Sequence, residues 1–391
     1  MCHKKRIVVI ADDITGAAEI AGIAFRQGRQ VSLVCASSAL ASAALASYAA
    51  STGSADNGDA CLVIATDTRS MTAAEAASET CRIASFLSPF SSHLIYKKTD
   101  SALRGNVVAE LSALMQALGH RRAVYLPANP SKGRVIRGGI YYVGDKPIHT
   151  TDFSFDPEYP ARTSKLKERF PDAAGYGIVM PDAESLDDIR SIIASYDDGH
   201  TLFAGAADLF SLLSLHTTPL SASADLNERR LSPHPSHDRT GRESSFEISG
   251  KSMIFVCGST QSHVPDLGIA VAPMPLELYE GSSDVARWPT ASYAVEHSVV
   301  LTIPHRHLTG KDVAMHLRRV TALKVRQLVA VHRPCNLVIE GGATAWAVLQ
   351  SLGWTQLDVV GQIAPGVVTL RAACGTRVTL KPGSYRWTGD A

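Results

Sequence analysis

No apolar run in the 391-residue chain is long enough to cross a bilayer. Its least polar stretches are broken within roughly ten residues, where about 20 are needed. Neither sign of charge dominates: 38 Lys and Arg stand against 37 Asp and Glu, a net charge of +1. That balance leaves no electrostatic footprint for a nucleic-acid partner or a polybasic membrane surface, so function is expected at local sites. The seven cysteines are scattered, without a C-x-x-C pair, which argues against a disulfide framework and a zinc ribbon. Cys35 and Cys257 sit in apolar runs, where a thiol behaves as a small buried hydrophobe. After the charged start Met1 to Arg6, the apolar run Ile7 to Ala11 ends at two aspartates, too short for a signal-peptide core. A reducing, cytoplasmic setting is expected.

Three familiar motifs are also missing. No G-x-G-x-x-G follows the first apolar run, which disfavours a standard dinucleotide fold. Gly250-Lys251-Ser252 looks like the end of a phosphate-binding loop, but position 245 is Ser and a strand follows. Asp12 to Thr15 hints at an aspartate-nucleophile phosphatase, yet that pattern needs an acid where Ala11 stands. His305 and His307 have no third ligand nearby and no metal is assigned to them.

What is present is a regular alternation of apolar runs and helix-like stretches. Ile7–Ile10, Val31–Val34, Leu62–Ala65, Leu94–Tyr96 and Ala123–Leu126 read as buried strands. Helices are expected between them, one opened by Thr72 and Glu75 at capping-box spacing, another near Val107 to Leu118. The Ala/Ser-rich stretch from about Ala36 to Asn57 reads as a helix with a loose loop. Such alternation predicts an α/β fold, a mainly parallel sheet with helices on both faces. The length exceeds what one core usually holds, so two domains are expected. Ser, Pro and His crowd residues 217–250 and mark the boundary, giving domains at 1–216 and 251–391 with a linker between. The second half is again α/β, with strands at Met253–Val256, Val299–Ile303 and Leu337–Ile339 and a basic amphipathic helix from Lys311 to about Val331.

Ligands of open parallel sheets bind outside the carboxyl ends of the strands. There the sequence places Asp12-Asp13-Ile14-Thr15-Gly16, Thr66-Asp67-Thr68-Arg69-Ser70, Lys97 to Asn106, and Asn129 to Arg134. One polar turn is what any helix cap requires, and Asp13 or Thr15 suits that role. Four such turns carrying Arg69, Lys98 and Arg104 suggest a cationic pocket for a carboxylate or phosphate. Ion pairing of those cations with Asp67 and Asp100 is the plainer use. In the second half, Gly341-Gly342-Ala343-Thr344 joins a strand to a helix over Trp346–Leu352, the arrangement of an anion site. Gly258-Ser259 and the segment Leu380 to Tyr385 repeat the idea.

These segments together resemble the four-carbon acid sugar kinase family, through Ala11 to Ala17, Asp67 to Ser70, Lys98 to Asn106, Gly133 to Gly139, Gly258-Ser259, Gly341 to Thr344, Ile363 to Gly366 and Leu380 to Gly383. The resemblance implies two domains, an acid-sugar domain followed by a nucleotide domain, with the active site in the cleft between them. It implies ATP and Mg²⁺ as cofactors and a small acid sugar as substrate. Asp12, Arg69, Lys98, Thr99, Ser101 and Arg104 fall on the substrate side, with Asp13 or Asp100 orienting the acceptor hydroxyl and taking its proton. Ser259, Gly341, Gly342, Ala343, Thr344 and Gly383 fall on the nucleotide side. The chain departs from the family at Ala102, at Ala343, where an acid is usual, and at Pro382 to Arg386. A divergent branch is therefore expected, with D-threonate, D-erythronate, 3-oxo-tetronate and 3-oxo-isoapionate as candidate substrates. A sugar-acid sensor on a decayed kinase and another nucleotide-dependent enzyme, such as a dehydrogenase, are the alternatives.

Overall fold

The computed structural model describes residues 6–35, 38–50, 59–87, 93–156, 159–216, 252–258, 268–290, 298–304 and 310–383. The chain divides into two compact units, Met1–Ser223 and Ala224–Ala391. The proposed linker at 217–250, His305 and His307 lie outside the described residues. Among the described residues, no helix is long and apolar enough to cross a membrane.

The N-terminal unit opens with β1 (Ile7–Ala11), whose five side chains are all buried. A strand can be apolar throughout only when both sheet faces are covered, and here they are. The chain continues through α1 (Ile14–Arg26), β2 (Gln30–Cys35), α2 (Ser38–Ala50), β3 (Ala60–Ala65), α3 (Ala73–Ala84), β4 (Leu94–Lys98), α4 (Val107–Leu118) and β5 (Arg122–Leu126). The Thr72–Glu75 capping box forms as its spacing predicts. Three short antiparallel strands follow: β6 (Arg134–Arg137), β7 (Ile140–Val143) and β8 (Lys146–Pro147). The rest of the unit includes α5 (Leu166–Arg169), β9 (Ile178–Val179), α6 (Leu186–Tyr196), β10 (Thr201–Gly205) and α7 (Ala207–His216).

Among the described residues, the main sheet of this unit runs β2-β3-β1-β4-β10-β5-β9, every neighbouring pair parallel. Helices α2, α3 and α4 pack side by side, as do α6, α7 and α1. The order places a switch between β1 and β4: the chain leaves β1 towards β2 and leaves β4 towards β5. Adjacent strands whose connections part in this way open a crevice at their carboxyl ends. The sequence did not anticipate β10 between β4 and β5. Its run Leu202-Phe203-Ala204 carries no β-branched signal, and the sheet around it decides its place.

The C-terminal unit holds β11 (Met253–Cys257), β12 (Val271–Pro273), β13 (Ser298–Thr302), β14 (Asn336–Glu340), β15 (Gln356–Ala364), β16 (Val367–Ala372) and β17 (Arg377–Lys381). The strands β12-β13-β11-β14-β17 are parallel neighbours, while β15, β16 and β17 form an antiparallel meander. That meander went unseen in the sequence, which had offered only its glycine turns. Helix Lys311–His332 packs against helix Gly342–Leu352, which starts four residues before the predicted Trp346.

Candidate active site

At the carboxyl ends of β1, β3 and β4, three carboxylates converge on one guanidinium. Arg69 grips Asp12 in a fork, Nε to Oδ2 at 2.9 Å and Nη2 to Oδ1 at 3.0 Å. Its Nη1 donates to Asp13 Oδ2 at 3.0 Å and lies 3.7 Å from Asp100 Oδ1. Asp100 is held in a second fork by Arg104, at 2.8 and 3.0 Å, and accepts from the Ala102 N–H at 3.0 Å. Asp156 takes the other side of Arg104 at 3.3 Å. Ion pairing is thus extensive, but the partners of Arg69 are Asp12 and Asp13, not Asp67, which stays in its own turn with Ser70.

Asp13 serves two masters. Its Oδ1 caps α1 by accepting from the Gly16 N–H at 2.8 Å, and its Oδ2 takes the Thr15 hydroxyl as well as Arg69. Lys98, the last residue of β4, donates to the Thr99 carbonyl at 2.9 Å and pairs with Glu19 at 3.4 Å. Lys132 also pairs with Glu19. Ser101 accepts from Arg134, and its carbonyl accepts from the Tyr141 hydroxyl. The Thr99 hydroxyl is buried beside the Tyr125 hydroxyl, and among the described residues neither makes a well-formed hydrogen bond.

The charges set the carboxylates apart. Burial opposes the ionisation of Asp100, but Arg69, Arg104 and Lys98 outweigh it and hold this carboxyl far below the usual range. Asp13 follows the same pattern, burial being outweighed by Arg69, the Thr15 hydroxyl and Lys98. In Asp12 burial wins over Arg69, and its carboxyl is pushed up. Three acids within reach of one arginine therefore differ in basicity, as general acid–base sites require.

Glu110 and Asp208, which the sequence did not single out, stand behind this cluster. Lys97 and Glu110 form a fully buried pair at 2.7 Å, and the Thr68 hydroxyl donates to the same carboxylate at 2.5 Å. That network joins β4, α4 and the turn bearing Arg69. An acid one turn into a helix resembles a helix-dipole acid, so the sequence alone gave no reason to single out Glu110. Asp208 fixes the turn after β5, accepting from Ser131 N–H and hydroxyl at 2.9 and 2.7 Å.

In the C-terminal unit the strand ends offer backbone, and the charges there, Glu340 and Lys381, are buried against each other. The N–H groups of Gly342, Ala343 and Thr344 open a helix and have no acceptor within it. Gly341 has φ 98° and spends its own N–H on the Lys381 carbonyl at 2.9 Å. Only glycine fits at Gly258, because a Cβ there would lie 2.3 Å from Thr344 Oγ1 and 2.7 Å from the Glu340 carbonyl. Thr344 donates to the Gly258 carbonyl at 3.3 Å. Lys381 pairs with Glu340 at 2.8 Å, both buried, which ties the Gly341 turn to the Pro382-Gly383 turn. Gly383 closes the described part of that turn, and Ser259 lies outside the described residues.

Residues 7–191 match the model of a sugar-binding N-terminal domain, and residues 285–385 that of a nucleotide-binding C-terminal domain. A D-threonate kinase of Bordetella bronchiseptica is 27% identical over 404 residues, covering 97% of this chain and 94% of its own. A 3-oxo-tetronate kinase of Actinobacillus succinogenes is 24% identical, covering 93% of this chain and 92% of its own. The chain belongs to the four-carbon acid sugar kinase family. A solved structure of a Haemophilus influenzae protein shares the fold, with a TM-score of 0.63 at 20% identity over 97% of each chain. The two domain models and the kinase names of these relatives support a sugar-acid kinase acting on small molecules.

Proposed function

We propose that the protein transfers the γ-phosphoryl group of ATP to the terminal hydroxyl of a four-carbon acid sugar or a close 3-oxo or branched relative. The observation that carries the reading is the convergence of Asp12, Asp13 and Asp100 on Arg69 at the β1/β4 switch. Kinship with D-threonate and 3-oxo-tetronate kinases along nearly the full length supports it. The acid sugar is read into the N-terminal unit, against Asp12, Arg69, Lys98, Thr99, Ser101 and Arg104. The nucleotide is read into the C-terminal unit, where the helix start at Gly342 to Thr344 suits phosphate oxygens, with Gly341 and Gly383; Ser259 is assigned to it from the sequence alone.

Phosphoryl transfer asks more for positioning and charge neutralisation than for covalent chemistry. Asp13 or Asp100 orients the acceptor hydroxyl and takes its proton as the new ester bond forms and ADP departs. Asp13 is the better base, because both Asp100 oxygens are locked in the Arg104 fork. Lys98 and Arg104 steady the charge on the transferred group. Among the described residues, no cluster of three or more His, Cys, Asp or Glu forms a metal cage. Mg²⁺ is read as held largely by ATP phosphates and water, as this ion usually is in phosphoryl-transfer sites.

A coupled ADP-release assay with Mg-ATP and a panel of D-threonate, D-erythronate, 3-oxo-tetronate and 3-oxo-isoapionate tests the reading. Acid-dependent ADP release with one of them is expected. ATP binding without turnover on any sugar acid would favour the sensor instead, for which the missing acid at Ala343 is the motive.

A further inference from the structure

The cations Arg69, Arg104, Lys98 and Lys132 of the strand-end turns each already have a carboxylate partner. Arg69 faces Asp12, Asp13 and Asp100, Arg104 faces Asp100 and Asp156, and Lys98 and Lys132 share Glu19. An incoming carboxylate at Arg69 or Arg104 meets more negative charge than positive, and Lys98 and Lys132 are both drawn onto the Glu19 carboxylate. Arg134 differs. It begins β6, directly after the β5 turn, and among the described residues it has no carboxylate partner. Its Nη1 donates to the Ser101 hydroxyl, inside the segment already assigned to the substrate. Its guanidinium lies over the Phe153 ring, 5.4 Å from the centroid.

The local structure holds Arg134 still. Its backbone N–H and C=O pair with Asn129 at 3.2 and 2.7 Å, and Asn129 Oδ1 in turn accepts from the Asp208 N–H at 3.0 Å. Across from it, Tyr141 holds the Ser101 carbonyl and reaches the Pro127 carbonyl at 3.1 Å. One of the guanidinium's five N–H groups is used by Ser101; none goes to an acid. The Ser101 oxygen accepts from Arg134, so its own proton remains to donate. An ordered guanidinium with spare donors beside a hydroxyl donor is a receptor for one planar carboxylate.

We propose that Arg134, with Ser101, recognises the carboxylate of the acid sugar and makes the site selective for acids over neutral polyols. This rests on the reading of the N-terminal unit as the acid-sugar site and deepens it. Arg134 is here a specificity residue. The three aspartates are left to the hydroxyl end of the substrate, where anionic acceptors are useful and a carboxylate would be repelled.

Calorimetric titration of the full-length protein, without nucleotide, tests the assignment. The probes are D-threonate, D-erythronate and 3-oxo-tetronate, with threitol and erythritol as neutral controls. A non-hydrolysable ATP analogue is titrated separately. Arg134→Gln is expected to weaken acid binding about 10- to 100-fold, collapsing the preference for acid over polyol. Affinity for the ATP analogue and the melting temperature should hold. Arg134→Lys should recover part of the loss, since it keeps the charge without the fork, and Ser101→Ala should cost several-fold while leaving Arg134 in place. An undiminished acid-over-polyol preference in Arg134→Gln, or in Ser101→Ala and Arg134→Lys together should Arg134→Gln fail to fold, would overturn the assignment. Failure of the wild type to bind any of the acids, with the ATP analogue bound normally, would instead remove the acid-sugar reading of this unit and the role of Arg134 with it.

Discussion

The strand ends of the two units are built from opposite materials. In the N-terminal unit they present side chains: Asp12, Asp13 and Asp100 set around Arg69, with Arg104 and Lys98 at the margin. In the C-terminal unit they present backbone, with Gly258 pressed against Thr344 and the first N–H groups of a helix after Gly341. Side chains can distinguish one hydroxyl pattern from another, and their basicity can be set by their neighbours. Backbone amides offer every phosphate the same donors and need only be held in place. Both units hide one Lys–Glu pair just behind the working edge, Lys97 with Glu110 and Lys381 with Glu340. The contrast between a side-chain edge and a backbone edge thus stands on similar buried supports.

The largest expected effect breaks the side-chain site outright. Arg69→Met leaves three carboxylates facing one another, and removal of one partner from a buried charge cluster costs about 3–5 kcal/mol. Chemical denaturation should show that loss, and acid-sugar binding should vanish with it. Asp13→Asn is gentler on the fold but should cut turnover about 10²- to 10⁴-fold. Full activity in that variant would remove Asp13 as the base and leave Asp100 as the candidate.

Gly258→Ala probes the other unit. Its Cβ has to push Thr344 aside, at an overpacking cost of about 1–3 kcal/mol. Affinity for nucleotide should fall while acid-sugar affinity is kept, and an equal loss of both would blur the division between units. A smaller effect concerns pH. The Asp100 carboxyl lies below its unfolded value of about 3.9, so its stabilisation is complete above that pH and fades as pH falls through it towards the folded value. Asp12, pushed up, acts in the opposite sense. The informative quantity is the difference between wild type and Asp100→Asn, which should shrink as a denaturation series is taken below about pH 4. Least disruptive is alkylation of the native protein. Burial pushes the Cys61 and Cys257 thiols up to about 12, and both should resist iodoacetamide, while exposed Cys81, Cys335 and Cys374 react.

Much of the fold was legible because the signals were local. The β-branched run Ile7–Ile10, the Thr72–Glu75 box and the alternation of strand and helix each carry their own periodicity or cap. The acidic and cationic turns were legible as turns, since the carboxyl ends of parallel strands gather whatever follows them. Who pairs with whom was not. Arg69 reaching Asp12 and Asp13 rather than Asp67 depends on strand order, in which β1 lies beside β3. Glu110 and Glu340 were invisible because a buried acid and an exposed one look alike in sequence. The Gln356–Lys381 meander escaped for a different reason: its glycine-broken runs have short, irregular register, with bulges between Val359 and Gly361 and between Gln362 and Ala364.

The most direct test of phosphoryl transfer to an acid sugar is ³¹P NMR of a reaction containing the protein, Mg-ATP and each acid of the panel. The γ-phosphate signal is expected to give way to a phosphomonoester resonance coupled to a terminal methylene, in step with ADP. Release of ADP with inorganic phosphate alone, and no ester from any acid, would contradict it.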